Sequence, residues 1–143
     1  MIKYLSFCHR EPDNHIIDLE SETIDSLTSL SGVYIIRSKR KYFPYPFGTS
    51  PIIYIGLASN LRRRLKEHRS DIENLRKSPK KDRGDLPYYS RFQYFITFGS
   101  KVHYFTTRGK QHEKNLENKI MMAFYKRYGA LPIGNGAFSW EKV

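Results

Sequence analysis

The stretch Pro51–His68, PIIYIGLASNLRRRLKEH, decides the fold, because its hydrophobic period changes partway along. Ile52, Ile53, Tyr54 and Ile55 follow one another without a polar break, as in a packed strand, and Pro51–Leu57 reads as one strand passing through Gly56. From Asn60 the pattern turns helical. Asn60 is a good N-cap, and Leu61, Leu65, Ile72 and Leu75 recur at helical spacing up to about Lys77. At about 100° per residue, Arg62 and Arg63 point away from the leucine stripe, Arg64 falls on its edge and His68 falls inside it. Two readings fit. Three arginines after a helix start make a solvated basic face, and a lone His on an apolar stripe makes a packed core residue. Alternatively, the helix aims a guanidinium and an imidazole at a strand that closes in Tyr-Ile-Gly.

The segment Ser31-Gly32-Val33-Tyr34-Ile35-Ile36 bears on that choice. Gly32-Val33-Tyr34 opens one strand and Tyr54-Ile55-Gly56 closes the next, with Arg64 eight and His68 twelve residues beyond Gly56. This order and spacing resembles the GIY-YIG nuclease family, over Gly32 to about Trp140. The resemblance implies an α+β fold in which a small central three-stranded antiparallel sheet is flanked by helices. One departure is Lys39–Ser50, KRKYFPYPFGTS, which is longer than the turn many members use and reads as an inserted basic-aromatic loop.

With 143 residues the chain is long enough for one core without disulfide or metal staples. Its single cysteine, Cys8, allows no internal disulfide, so a reducing, cytoplasmic setting is the expectation. No apolar run reaches the roughly 18–20 residues that span a bilayer, and the first residues lack the form of a signal peptide. The net charge of +11 is uneven: residues 1–30 hold two cations against six carboxylates, a net of −4, so residues 31–143 hold +15. A basic body with interleaved aromatics suits a phosphate backbone, although a soluble basic protein would have the same charge.

Along the chain, residues 1–22 read as an arm with a strand-like start, Ile2–Phe7, outside the nuclease core. Residues 1–30 are expected to form an N-terminal extension, and 31–143 the GIY-YIG-like domain. In Thr23–Leu30 the apolar Ile24, Leu27 and Leu30 mark a short helix. Ser78–Pro87 is a charged, turn-rich loop. Tyr88–Phe98 fits a strand by alternation and a helix by its aromatic face, and the resemblance selects the helix. Val102–Thr107 is the third strand and Gln111–Tyr128 the last helix.

On that last helix Leu116, Ile120, Ala123, Phe124 and Tyr128 form the apolar face, and both Glu113 and Glu117 fall within it. A carboxylate there calls for a paired cation, hydrogen bonds or a metal. By the resemblance, Glu117 takes the position of the family's metal-binding glutamate, for one Mg²⁺ or Mn²⁺ ion, and Asn135 that of a polar residue near the site. Arg64 would hold the phosphate, Tyr34 is the candidate general base, Tyr54 positions water or phosphate, and His68 is a second base or relay. A phenol ionises near 10 and an imidazole near 6.5, so the choice between Tyr34 and His68 stays open. Lys39, Arg40, Lys80, Lys81 and Arg83 are candidate phosphate contacts.

The implied activity is metal-dependent hydrolysis of DNA phosphodiester bonds. Its alternatives are an inactive nucleic-acid-binding module and an RNA-cleaving, toxin-like enzyme with the same residues. Neither a zinc finger nor a helix-turn-helix is evident, so specificity would come from a protein partner or from the two loops reading a branched or otherwise structured DNA by shape.

Overall fold

A computed structural model describes residues 16–77, 89–107 and 110–135. Its elements are strands β1 (Ile16–Asp18), β2 (Gly32–Ser38), β3 (Phe43–Tyr45), β4 (Gly48–Ser50), β5 (Ile52–Ala58) and β6 (Ser100–Thr106), with helices α1 (Leu61–Lys77), α2 (Tyr89–Phe98) and α3 (Lys110–Tyr128). The three expected strands form an antiparallel sheet with β2 central, in the order β1-β6-β2-β5, and β3 and β4 make a separate hairpin. Among the described residues no helix is long and apolar enough to cross a membrane.

The sheet separates two apolar clusters, as the strand period requires. One holds Tyr34, Ile36, Leu61, Leu65, Ile72 and Phe95 and so joins β2 to α1 and α2; the other sets Val33, Ile35, Ile52 and Ile55 against Ile120, Phe124 and Tyr128 of α3. Helix α1 buries the stripe read from the sequence, Leu61, Leu65, His68, Ile72 and Leu75. Its start is fixed three ways: Asn60 Oδ1 accepts from the Arg63 amide at 3.0 Å, and the Leu61 and Arg62 amides donate to the carbonyls of Leu30 and Thr28 at 3.0 and 3.2 Å. Those contacts tie the basic helix to the loop leading into β2.

Three details differ from the sequence expectations. Ile16–Asp18, expected to lie outside the core, pairs with β6 and gives the sheet a fourth strand. The helix expected over Thr23–Leu30 is a 3₁₀ turn, Glu22–Ser26, with Ile24 and Leu27 buried and Leu30 57% exposed. Apolar residues at every third position match three residues per turn, the 3₁₀ repeat, so the pattern was a short tight turn. The Lys39–Ser50 insertion is no open loop. Its β3–β4 hairpin buries Phe43 edge-on to Tyr94 and Phe98, with ring centroids 5.6 and 5.5 Å away. Tyr45 packs 5.1 Å from Phe124, donates to the Ile52 carbonyl at 3.1 Å and accepts from the Ile133 amide at 3.0 Å. Burial pushes its phenol up to about 12, so it is a neutral strut.

The Tyr88–Phe98 ambiguity resolves as helix. Residues Ile2–Phe7, all of Ser78–Pro87, and Arg108 and Gly109 lie outside the described residues.

Candidate active site

Adjacent antiparallel strands place the two tyrosines. Tyr34 stands opposite Gly56 and Ile36 opposite Tyr54, so Tyr34 and Tyr54 share the sheet face that α1 covers. Their rings lie 5.9 Å apart. Gly56 makes this possible: a Cβ there would fall 2.7 Å from both the Tyr34 hydroxyl and the Tyr54 ring. Gly32 meets a similar constraint from the other side, since its Cβ would sit 2.2 Å from the Phe105 carbonyl oxygen and 2.8 Å from Leu61 Cδ1. The glycines therefore let β2 lie close to β6 and α1, and let the Tyr34 phenol cross over β5.

His68, on the buried stripe of α1, reaches the same point. Tyr34 Oη and His68 Nε2 are 2.8 Å apart in a buried contact, and the His68 ring lies 5.6 Å from Tyr34, 6.2 Å from Tyr54 and 6.5 Å from Phe95. With the imidazole neutral and Nε2 the acceptor, the phenol donates along this bond, and a proton leaving Tyr34 has a receiver.

Arg64 lies one turn before His68 and is half exposed. Its Nη1 meets Glu67 Oε2 at 3.2 Å in an i,i+3 pair with both side chains about half exposed, at 49% and 51%. Exposed pairs of this kind contribute about 0–1 kcal/mol, so a phosphate can replace Glu67 at little cost. Arg64 also lines a cavity of about 240 Å³ between the end of β5 and the start of α3, with Leu57–Asn60, Arg63, Glu67 and Glu113.

The two α3 carboxylates differ. Glu113 is only 4% exposed, and its buried Oε2 has no hydrogen-bond partner. Glu117, one turn on, is part-buried and does not line the cavity. Burial raises the Glu117 carboxyl above its ordinary range; Lys114 opposes this and Glu113 adds to it.

Asn135 is 7% exposed, and both ends of its amide engage one residue. Its Oδ1 accepts from the Ile55 amide at 3.0 Å while its Nδ2 donates to the Ile55 carbonyl at 2.9 Å. Gly134 adds a bond from its amide to the Ile53 carbonyl at 2.6 Å. Since β5 is the edge of the sheet, Asn135 acts on the strand that carries Tyr54 and Gly56. The sequence reading expected a polar residue near the site, and here its amide pairs with the backbone of the strand that carries Tyr54.

Of the five loop cations, Lys80, Lys81 and Arg83 lie outside the described residues. Lys39 pairs with Asp18, and Arg40 donates to the Thr97 carbonyl at 3.2 Å. Arg62 and Arg63, read first as a solvated face, line a shallow concavity of about 400 Å³ on α1. The sequence reading did not place Glu67 and Asn60 at the site; the signal was their spacing around Arg64, at i+3 and i−4 on one helix start.

Comparison with known proteins bears on this arrangement. The profile of the GIY-YIG catalytic domain matches residues 30–128. Two point-mutant crystal structures of the GIY-YIG N-terminal endonuclease domain of UvrC from Thermotoga maritima, each bound to its catalytic divalent cation, are similar to the chain. Each is 19% identical, with 81% of this chain and 98% of the other covered and a TM-score of 0.45. No curated protein matches the chain.

Proposed function

Because the chain belongs to the GIY-YIG catalytic domain family, we propose that it is a metal-dependent endonuclease that hydrolyses DNA phosphodiester bonds. One observation carries this reading. A buried tyrosine hydroxyl lies 2.8 Å from an imidazole nitrogen, beside a second tyrosine and one helical turn from an exchangeable arginine.

The donor set suits a hard divalent ion. Glu117 offers carboxylate oxygens on the core face of α3, and among the described residues no three His, Cys, Asp or Glu converge on one point. Mg²⁺ and Mn²⁺ accept that poverty, because they keep several waters and complete their shell with substrate phosphate. When bound, one such ion supplies positive charge to the phosphate and the departing oxygen.

The chain's own groups do the rest. Arg64 exchanges Glu67 for the phosphate and holds two of its oxygens with its guanidinium fork, where negative charge grows during attack. Tyr34 takes the proton of the attacking water. A phenol ionising near 10 is a poor base at neutral pH, and His68 Nε2 answers that difficulty by receiving the proton along the bond it shares with Tyr34. Tyr54 orients the water from the neighbouring strand position. Asn135 is a positioning residue that fixes β5.

Supercoiled plasmid, branched DNA and RNA, each incubated with Mg²⁺ or with a chelator, test the reading. Cleavage should require the ion, and Arg64→Ala should lower its rate by about 10²–10³, the usual loss when one oxyanion donor goes. Its melting temperature should barely move, because the Glu67 pair is exposed. Wild-type protein that cuts none of these substrates with Mg²⁺ or Mn²⁺ overturns the proposal, and cleavage of RNA alone reassigns the substrate.

A further inference from the structure

We propose that Glu113 is a second carboxylate ligand for the site's divalent cation, facing Arg64 across the cavity at the start of α3. The inference rests on the nuclease reading above and departs from its single-glutamate ion. Glu113 is 4% exposed and lines the cavity together with Arg63, Arg64 and Glu67. Its Oε2 has no donor, and neither arginine forms an ion pair with it, Arg64 being turned to Glu67. A buried acceptor oxygen left without a partner is costly.

Glu117 supplies the second reason. Residues four apart on a helix stand about 5–6 Å apart at Cβ, and two like charges so placed repel. A small cation with oxygen ligands at about 2.0–2.1 Å would turn that repulsion into shared coordination. The location suits the chemistry as well. A phosphate held by Arg64 would share the cavity with the Glu113 carboxylate, whereas Glu117, one turn on, does not line it.

Metal affinity in the absence of DNA tests this without relying on cleavage. Mn²⁺ titration calorimetry and thermal melts would compare the wild type with Glu113→Gln, Glu117→Gln and the double variant. Glu113→Gln should weaken Mn²⁺ binding at least as much as the loss of an outer-shell partner does, about 10–100-fold. Without metal it should melt no lower than the wild type, because a neutral amide relieves the repulsion, and the rise in melting temperature on adding Mn²⁺ should shrink accordingly. Wild-type affinity in Glu113→Gln, a lower metal-free melting temperature, or no Mn²⁺ binding by the wild type each overturn the assignment. Glu113→Asp provides a second variant. It keeps the charge but withdraws the oxygens, so weakened binding supports the role and unchanged binding refutes it. The two readings fail separately. A wild type that binds Mn²⁺ through both glutamates but cuts neither DNA nor RNA refutes the nuclease and leaves Glu113 a ligand. A wild type that cuts, with a Glu113→Gln variant that binds Mn²⁺ normally, does the reverse.

Discussion

Gly56 has no side chain because two tyrosines occupy the space a Cβ would need. Gly56→Ala would place a methyl carbon 2.7 Å from the Tyr34 hydroxyl and from the Tyr54 ring, and neither ring retreats easily into a packed cluster. Overpacking of this kind costs roughly 1–3 kcal/mol. The damage falls on the reacting groups: displacing the Tyr34 phenol should break its bond to His68, so activity should fall further than stability. A melt paired with a cleavage assay checks this, and a variant with wild-type rates would show that the tyrosines do not need their observed spacing. At this scale the sequence was informative, because Gly32, Tyr34, Tyr54, Gly56 and His68 owe their places to strand pairing and helix period, which spacing reveals. Asn135 was less legible. Its partner is the backbone of Ile55, eighty residues earlier, and nothing in the composition of either segment encodes that pairing.

Strand β5 is the element on which the site depends, and it is an edge. One side of it pairs with β2. On the other side Asn135 imitates a strand neighbour by pairing with Ile55, and Gly134 with Ile53. Asn135→Ala should leave both polar groups of Ile55 unsatisfied at a cost of about 2–4 kcal/mol. Hydrogen exchange at the Ile55 amide should accelerate more than at β2, and cleavage should drop through misplaced Tyr54 without loss of Mn²⁺ affinity. Unchanged Ile55 exchange would remove Asn135 from its positioning role. Element types were mostly readable because long periodic segments such as α1 carry their own signal. The β3–β4 hairpin was not, since Phe43 and Tyr45 look alike in sequence whether they face solvent or the clusters on either side of the sheet. The 3₁₀ turn over Glu22–Ser26 was misjudged for a related reason: too few residues distinguish a period of three from one of 3.6.

Across the whole molecule, charge is sorted by the acidic segment that precedes β2. Asp18 pairs with Lys39, Glu20 with Arg76 at 2.9 Å, and Asp25 with Arg69 at 2.6 Å and Lys66 at 3.9 Å. The Arg69 guanidinium holds the Asp25 carboxyl below its ordinary range, so this carboxylate stays ionised at neutral pH. The cations they engage belong to the hairpin approach and to the side of α1 near the 3₁₀ turn. Among the described residues Arg62 and Arg63 have no such partner, and they stand at the start of α1, beside the cavity that holds Arg64. The acidic segment thus leaves Arg62 and Arg63 unengaged beside the proposed phosphate. Binding of short duplex DNA in chelator, followed by anisotropy across a salt series, should show this. Arg62→Ala and Arg63→Ala should each lower the log–log salt slope by about 0.9, one phosphate contact apiece. Replacing Lys39 and Arg40 together should leave the slope nearly unchanged, because their internal partners already hold them. The opposite pattern, a slope sensitive to Lys39 and Arg40 but indifferent to Arg62 and Arg63, would move the nucleic-acid face to the hairpin and separate it from the cavity.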